Sequence, residues 1–382
     1  MPFDLSPSWS DESLDIHRRA VRRFVETELE PAEAKGRETG DVGKAIWRRA
    51  GELGFLLNDI PEEFGGGGGD VRHELTFFEE CARRGLSGMS TGVHSIVAHY
   101  FLNHGTETQK REYLPRLARG EIIGAISMTE SDAGSDLQAI RTTAARRGEG
   151  YVLNGSKTYI SNGTLAGVNL VVAKTDTAKG AHGISIFIVE PEKSRGYRVG
   201  RKLDKIGLAA QDTSELFFDD VELPADALLG GVEGRGFVQL MTDLPYERLI
   251  IGIGAAASIE GAIAETLAYV KTRKAFGRTL FEFQNTRFRL AELVASAKAV
   301  RAMVDRGVID IMDGKLDAAG AAMIKLFSTE QQGRIIDQCL QFHGGAGYMM
   351  ETSIARRYAD ARITRIFGGA NEIMMEMIAR SL

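Results

Sequence analysis

Cysteine is scarce in this chain: Cys81 and Cys339 are the two present in 382 residues. That excludes a disulfide framework and a four-cysteine zinc site. One bridge stays open on paper, but two buried thiols are the expected state. A cationic surplus is also missing. Lys and Arg number 47 against 52 Asp and Glu, a net charge of −5, so nothing argues for nucleic acid or an anionic membrane as partner. No apolar run approaches the roughly 18 residues of a membrane span. The longest candidate, Leu249 to Ile259, is short and rich in Gly and Ala. The opening MPFDLSPSWSDESLD lacks a basic stretch followed by an apolar one, so the expected location is cytoplasmic.

What is present is enough to fold. Hydrophobic residues make up 43% and charged residues 26%, which supports a large core and excludes disorder over most of the chain. At roughly 100–200 residues per domain, two or three domains are expected. The 44 glycines cluster, as they do where backbone must turn tightly or approach a ligand.

Periodicity divides the chain into three zones, 1–120, 121–232 and 233–382. The first reads helical, with Ile16, Ala20, Val21 and Phe24 at helical spacing and Glu28 to Pro31 closing that segment. The five glycines between Phe64 and Asp70 predict a mobile loop. The second zone reads as short strands, and Asn154-Gly155 between Gly150–Leu153 and Lys157–Ser161 predicts a hairpin. Short strands with turns between them suggest an antiparallel sandwich or barrel. The third zone is helical again, with an apolar stripe at Leu290, Leu293, Val294, Ala297, Val300 and Val304. A helix follows over Ala318 to Gln341, and another starts near Asn371. No internal repeat or low-complexity linker occurs.

Six stretches could carry chemistry. Met128 to Asp136 crowds hydroxyls and small residues at the entry to the β zone, able to hydrogen-bond a polar ring or a phosphate. Read alone, its composition favours a solvated Asp/Ser/Gly turn. Asn154 to Gly163 reads as a hairpin and loop. Arg273 to Arg278, with Gln284 beyond, could clamp a phosphate, although cations also suit helix C-termini. Gln341 to Tyr348 places glycines after a helix. Arg365 to Ile373 sets Gly368 and Gly369 before a helix N-terminus, where free N–H groups suit an oxyanion. Leu244 to Leu249 places Glu247 beside Arg248 in an apolar segment. Pro245 would kink a helix there. A Glu so placed is either a salt-bridge partner or a base with a raised pKa.

In this order and spacing, the six stretches resemble the acyl-CoA dehydrogenase family over nearly the whole chain, from about Asp11 to Leu382. Leu244-Pro245-Tyr246-Glu247-Arg248-Leu249, Gln211 to Phe218 and Gly368 to Met374 look most like its long-chain branch. The resemblance implies an α+β multidomain fold: an N-terminal helical domain, a middle antiparallel β-barrel and a C-terminal four-helix bundle. It implies FAD between the middle and C-terminal domains and across a subunit interface of a homo-oligomer, expected to be a tetramer. Thr129, Ser135, Tyr159 and Ser161 would meet the flavin ring. Arg273, Phe276, Gln284, Gln341, Gly345 and Glu372 would contact cofactor, most of them across the interface.

The resemblance also implies the chemistry. Many members carry a Glu where this chain has Gly368; others place it on a C-terminal helix, at the position of Glu247 here. Glu247 would take the α-proton of an acyl thioester, with Arg248 beside the substrate. The thioester oxygen would accept hydrogen bonds from the Gly368 N–H and a flavin ribityl hydroxyl, and the β-hydrogen would leave as hydride to flavin N5. The product is a trans-2-enoyl thioester, of CoA or of an acyl-carrier protein, and an electron-transfer flavoprotein would accept the electrons. Two departures stand out. Ala370 replaces a usual threonine, and Ser131-Asp132 replaces Pro-Gly, which adds a carboxylate near the expected mouth. An oxidase, an acyl-carrier-protein dehydrogenase, a flavin monooxygenase or a non-catalytic acyl-CoA binder on the same scaffold remain the alternatives.

Overall fold

The computed structural model describes residues 5–382. Six helices come first: α1 Glu12–Phe24, α2 Glu30–Thr39, α3 Lys44–Glu52, α4 Val71–Arg84, α5 Thr91–His104 and α6 Glu107–Ala118. Asp11 caps α1, and Thr106 and Gln109 form a capping box on α6. Glu28 to Pro31 does not end the first helix. A π-turn over Val25–Leu29 leads straight into α2, where Pro31 sits in the first turn and needs no N–H donor. The five-glycine stretch is pinned: Gly66, Gly67, Gly68 and Gly69 donate to the carbonyls of Pro61, Leu57, Ile60 and Asn58. A Cβ on Gly66 would lie 2.2 Å from the Ile60 carbonyl oxygen, so close backbone packing is what these residues permit.

Seven strands follow: β1 Gly124–Ser127, β2 Thr143–Arg147, β3 Gly150–Ser161, β4 Val168–Lys174, β5 Ile184–Val189, β6 Tyr197–Lys202 and β7 Thr213–Leu223. Their order is β1-β4-β2-β3-β7-β6, with β5 on β4. The sheet is a curled half-barrel, neither closed nor wholly antiparallel, because β1 and β2 both run parallel to β4. Strands β4 and β5 are buried on both faces, against the N-terminal helices on one and inside the curl on the other. That double burial explains their unbroken apolar runs. The predicted hairpin at Asn154-Gly155 is also corrected. The turn lies at Gly148-Glu149, and β3 runs on through Asn154 and Gly155. Gly155 is required because a Cβ there would sit 2.5 Å from Thr142 Oγ1, and Asn154 Oδ1 accepts from the Asp220 N–H (2.9 Å).

The C-terminal domain holds α7 Gly236–Thr272, a small β8–β9 hairpin (Lys274–Ala275 and Arg278–Thr279), α8 Gln284–Met312, α9 Ala318–His343, α10 Ser353–Ala361 and α11 Asn371–Ala379. Three helices are long. In place of a single fourth, α10 and α11 pack on α9, separated by the glycine-bearing turns at 344–347 and 368–369. By length and composition α7 is apolar enough to cross a bilayer, with hydropathy 1.4 over its most apolar window, which the shorter run read from the sequence did not suggest. Its surface is instead covered by α4, α8 and α9. Nor does Pro245 break it; the helix continues through the ring, which frees the Met241 carbonyl.

A buried ion network ties the first and last domains together. Arg301 on α8 meets Glu79 on α4 (2.6 Å) and Glu260 on α7 (2.7 Å), and Glu79 also receives Arg18 from α1 (2.8 Å). Removing one partner from such a cluster typically costs about 3–5 kcal/mol, so this network fixes α7 against the N-terminal helices.

Candidate active site

A cleft of about 740 Å³ opens where the three domains meet. Its walls are largely apolar, with Leu86, Met89, Ile96, Phe237, Leu244 and Ile250 among them. Thr129, Ser135, Tyr159, Ser161, Glu247, Arg248 and Gly368 all line it. This is the usual make-up of a small-molecule site: apolar walls with a few convergent polar groups.

Glu247 is the buried carboxylate of the cleft, 8% exposed. The helix α7 carries it inward, and Oε1 accepts a 3.1 Å hydrogen bond from the Tyr100 hydroxyl on α5. Burial pushes its pKa up to about 7; Asp243 one turn earlier adds to the rise, and Tyr100 and Arg248 oppose it. Asp243 is held by Asn103 Nδ2 (2.6 Å) and lies 2.7 Å from His104 Nε2. Arg248 is not an ion-pair partner of Glu247. Its side chain is buried, its Nε and Nη1 atoms bond to no other group among the described residues, and burial lowers its pKa. A buried guanidinium with unused donors points to a ligand that accepts hydrogen bonds.

Gly368 faces this carboxylate's helix. Its φ is +63°, and a Cβ there would lie 2.3 Å from Ile251 Cδ1, one turn along α7 from Glu247. Positions 368 and 247 are thus neighbours across the cleft.

The opposite wall belongs to the sheet. Tyr159 has a left-handed φ of +61° and is 67% exposed, at an irregularity in the β3–β7 pairing between Lys157 and Ile160. A non-glycine residue in that conformation is strained, and such strain clusters at binding sites. Here it turns an aromatic ring into the cleft. Ser161 Oγ accepts from Gln211 Nε2 (2.9 Å). Beneath, fully buried Lys157 bonds Glu130 Oε1 (2.8 Å) and the Met128 carbonyl (2.9 Å), while Glu130 accepts from the N–H groups of Arg141 and Thr142. Burial lowers Lys157 to about 8, against the pull of Glu130. This clamp shapes the loop that presents Thr129 and Ser135. A Cβ on Gly134 would touch only Thr129 Cγ2, at 3.9 Å, so the loop is open on that side. Hydroxyls along one edge and an aromatic face beside open space suit a planar heteroaromatic ring such as a flavin. Asp132 lies outside the cleft lining; it is exposed and faces Arg141 (3.6 Å), which offsets its charge.

The remaining predicted contacts stand apart. Arg273, Phe276, Gln284, Gln341, Gly345 and Glu372 are exposed and do not line the cleft of their own chain. Phe276 is 95% exposed, at the tip of the β8–β9 hairpin. Tyr269, near the end of α7, stacks on His343 at the end of α9 (4.3 Å), so the first five gather at one end of the helical domain. Glu130 and Lys157 lie within two of the stretches singled out in the sequence but had no role there, and Tyr100, Asp243 and Lys325 went unnoticed. A lysine inside the apolar run Ala321 to Phe327 was the readable signal for the last; the others have none.

A helical, sheet and helical arrangement around a cleft that holds a buried carboxylate of raised pKa, with hydroxyls and an aromatic ring on the facing wall, fits a flavin-dependent oxidoreductase. Family models for the acyl-CoA dehydrogenase N-terminal, middle and C-terminal domains match residues 11–121, 125–221 and 234–382, and the chain belongs to the acyl-CoA dehydrogenase family. It is 46% identical to the long-chain specific acyl-CoA dehydrogenase, mitochondrial, of Sus scrofa, over 96% of this chain and 86% of that one. The crystal structure of an acyl-CoA dehydrogenase from Geobacillus kaustophilus superposes with a TM-score of 0.95 at 41% identity, covering 98% of this chain and 99% of that one. A glutaryl-CoA dehydrogenase from Mycobacterium smegmatis in complex with FADH2 superposes with a TM-score of 0.90 at 28% identity, covering 97% and 95%.

Proposed function

We propose that this chain performs FAD-dependent α,β-dehydrogenation of an acyl-CoA with an apolar chain, with Glu247 as the base. The observation that carries the assignment is the burial of Glu247 in the cleft, with a pKa raised to about 7. A carboxylate of ordinary acidity is a weak base toward a thioester α-proton. Raised to about 7, it is half ionised near neutrality and a stronger base when ionised. Tyr100 holds one carboxylate oxygen and leaves the other for the proton. The Gly368 N–H, at the mouth of the α11 turn, donates to the thioester oxygen where negative charge develops. Arg248 adds an unpaired positive charge near that oxygen. The apolar wall excludes water and orients the acyl chain.

Thr129, Ser135, Tyr159 and Ser161 would hold the flavin ring, and Arg273, Phe276, Gln284, Gln341, Gly345 and Glu372 would serve the cofactor of a neighbouring subunit in a homo-oligomer. Bound FAD supplies the electron-accepting chemistry. An electron-transfer flavoprotein is the expected acceptor afterwards.

Anaerobic titration of the purified protein with acyl-CoAs of graded length and branching, read by flavin absorbance, tests the assignment. Bleaching by one chain type supports it and names the substrate. A yellow protein bleached by none moves the reading to carrier-bound substrates or another flavin reaction.

A further inference from the structure

Lys325, on α9, is fully buried, and its Nζ donates to the Gly369 carbonyl (2.7 Å) and to Asn371 Oδ1 (2.8 Å). Both acceptors are neutral. Glu330 on α9 and Glu372 on α11 act on the ammonium only at a distance, and Glu330 is bonded to Asn371 Nδ2 (2.7 Å). Arg248 on α7 faces it as a like charge, and its guanidinium lies beside the same turn, with Nη2 3.8 Å from where a Gly369 Cβ would sit. Burial, and after it Arg248, lowers the lysine pKa to about 8.

A buried cation without a direct counter-ion and next to another cation is a costly arrangement. Packing does not ask for it, since a methionine would fill nearly the same volume. What the ammonium achieves is local. Gly368 and Gly369 have φ of +63° and +95°, conformations glycine adopts freely and does not hold by itself. A bond to the Gly369 carbonyl sets the orientation of the peptide units on either side of it.

We propose that Lys325 is a positioning residue: it pins the Gly368–Gly369 turn so that the Gly368 N–H faces the thioester oxygen, with the Arg248 guanidinium beside the same turn. The proposal rests on the reading above that Gly368 is the oxygen's donor. Fixed donors and charges of this kind favour the state in which negative charge has developed.

The test uses the FAD-loaded enzyme and a 2-enoyl-CoA isotopically labelled at the thioester carbonyl. The carbonyl band of the bound product is read by Raman difference spectroscopy. In the wild type it should fall below its solution frequency. In Lys325→Met most of that shift should be lost, and kcat should drop about 10- to 100-fold with KM changed less than about threefold. A variant band shifted as far as the wild type's, or equal losses in kcat and flavin content, overturns the proposal. Where Lys325→Met fails to hold flavin, Asn371→Ala decides, because it leaves the ammonium but removes one of its tethers. A reduced shift supports the proposal and a wild-type band overturns it. A wild-type band at the solution frequency removes the Gly368 reading, and the proposal with it, while bleaching by acyl-CoA would leave dehydrogenation standing.

Discussion

The Tyr100 hydroxyl donates a 3.1 Å hydrogen bond to Oε1 of Glu247, linking a helix of the N-terminal domain to a carboxylate of the C-terminal one. That bond favours the ionised carboxylate, against the burial that raises its pKa to about 7. Tyr100→Phe keeps the ring and removes the donor, so the Glu247 pKa should rise. Hydrogen bonds to charged groups contribute about 1.5 kcal/mol or more, which corresponds to roughly one pH unit. The acidic limb of kcat/KM should therefore move up by about that amount. An unmoved limb would separate Tyr100 from the base.

Glu247→Gln should keep FAD bound and lower substrate-driven flavin reduction by about 100- to 10,000-fold, the range associated with a positioned base. Single-turnover stopped-flow absorbance reads this directly. Reduction at the wild-type rate would sink the base assignment.

Gly368→Glu in the Glu247→Gln background asks whether the second position can take over. The new Cβ would meet Ile251 Cδ1 and must accept a φ of +63°. We expect the double variant to stay slow, and the addition of Ile251→Ala to recover part of the lost rate. If that triple variant binds flavin and remains inactive, the two positions are not interchangeable here.

Tyr159 carries the strain of a left-handed backbone, which is worth about 1–3 kcal/mol. Tyr159→Gly should leave the apoprotein no less stable in thermal unfolding, yet weaken FAD binding, because the ring that faces the cleft is gone. A variant with lower apoprotein Tm and unchanged FAD affinity would contradict the role given to this ring.

Disrupting the clamp under the flavin wall should do the opposite. Lys157→Met strands the buried Glu130 carboxylate, which has a backbone loop to hold. A loss of about 3–5 kcal/mol is expected, read as a lower denaturation midpoint with flavin release. Glu130→Gln in the same background should restore part of it.

The three zones, the helices α8, α9 and α11 and the stretch holding Glu247 were legible because they rest on local periodicity and on residues unusual in their surroundings. Helical stripes bury one face, and a carboxylate in an apolar segment stands out without reference to anything distant. Asn154-Gly155 misled for the complementary reason. The pair has turn chemistry, but the contact that requires Gly155 is Thr142, on the neighbouring segment. Likewise Pro245 has the local character of a breaker, and the burial of α7 among three other helices carries the helix through it.

The sequence by itself determined the order of the domains, the presence of Glu247 and the absence of a carboxylate at 368, since each is a matter of which residue stands where. Tertiary structure alone decided that the sheet stays open, that burial raises the basicity of Glu247 with Tyr100 and Asp243 adjusting it, and that Arg248 and Lys325 are buried without counter-ions among the described residues. These depend on desolvation and on distances between residues far apart in the chain. Both are properties of the packed interior, and neither leaves a local pattern in the order of amino acids.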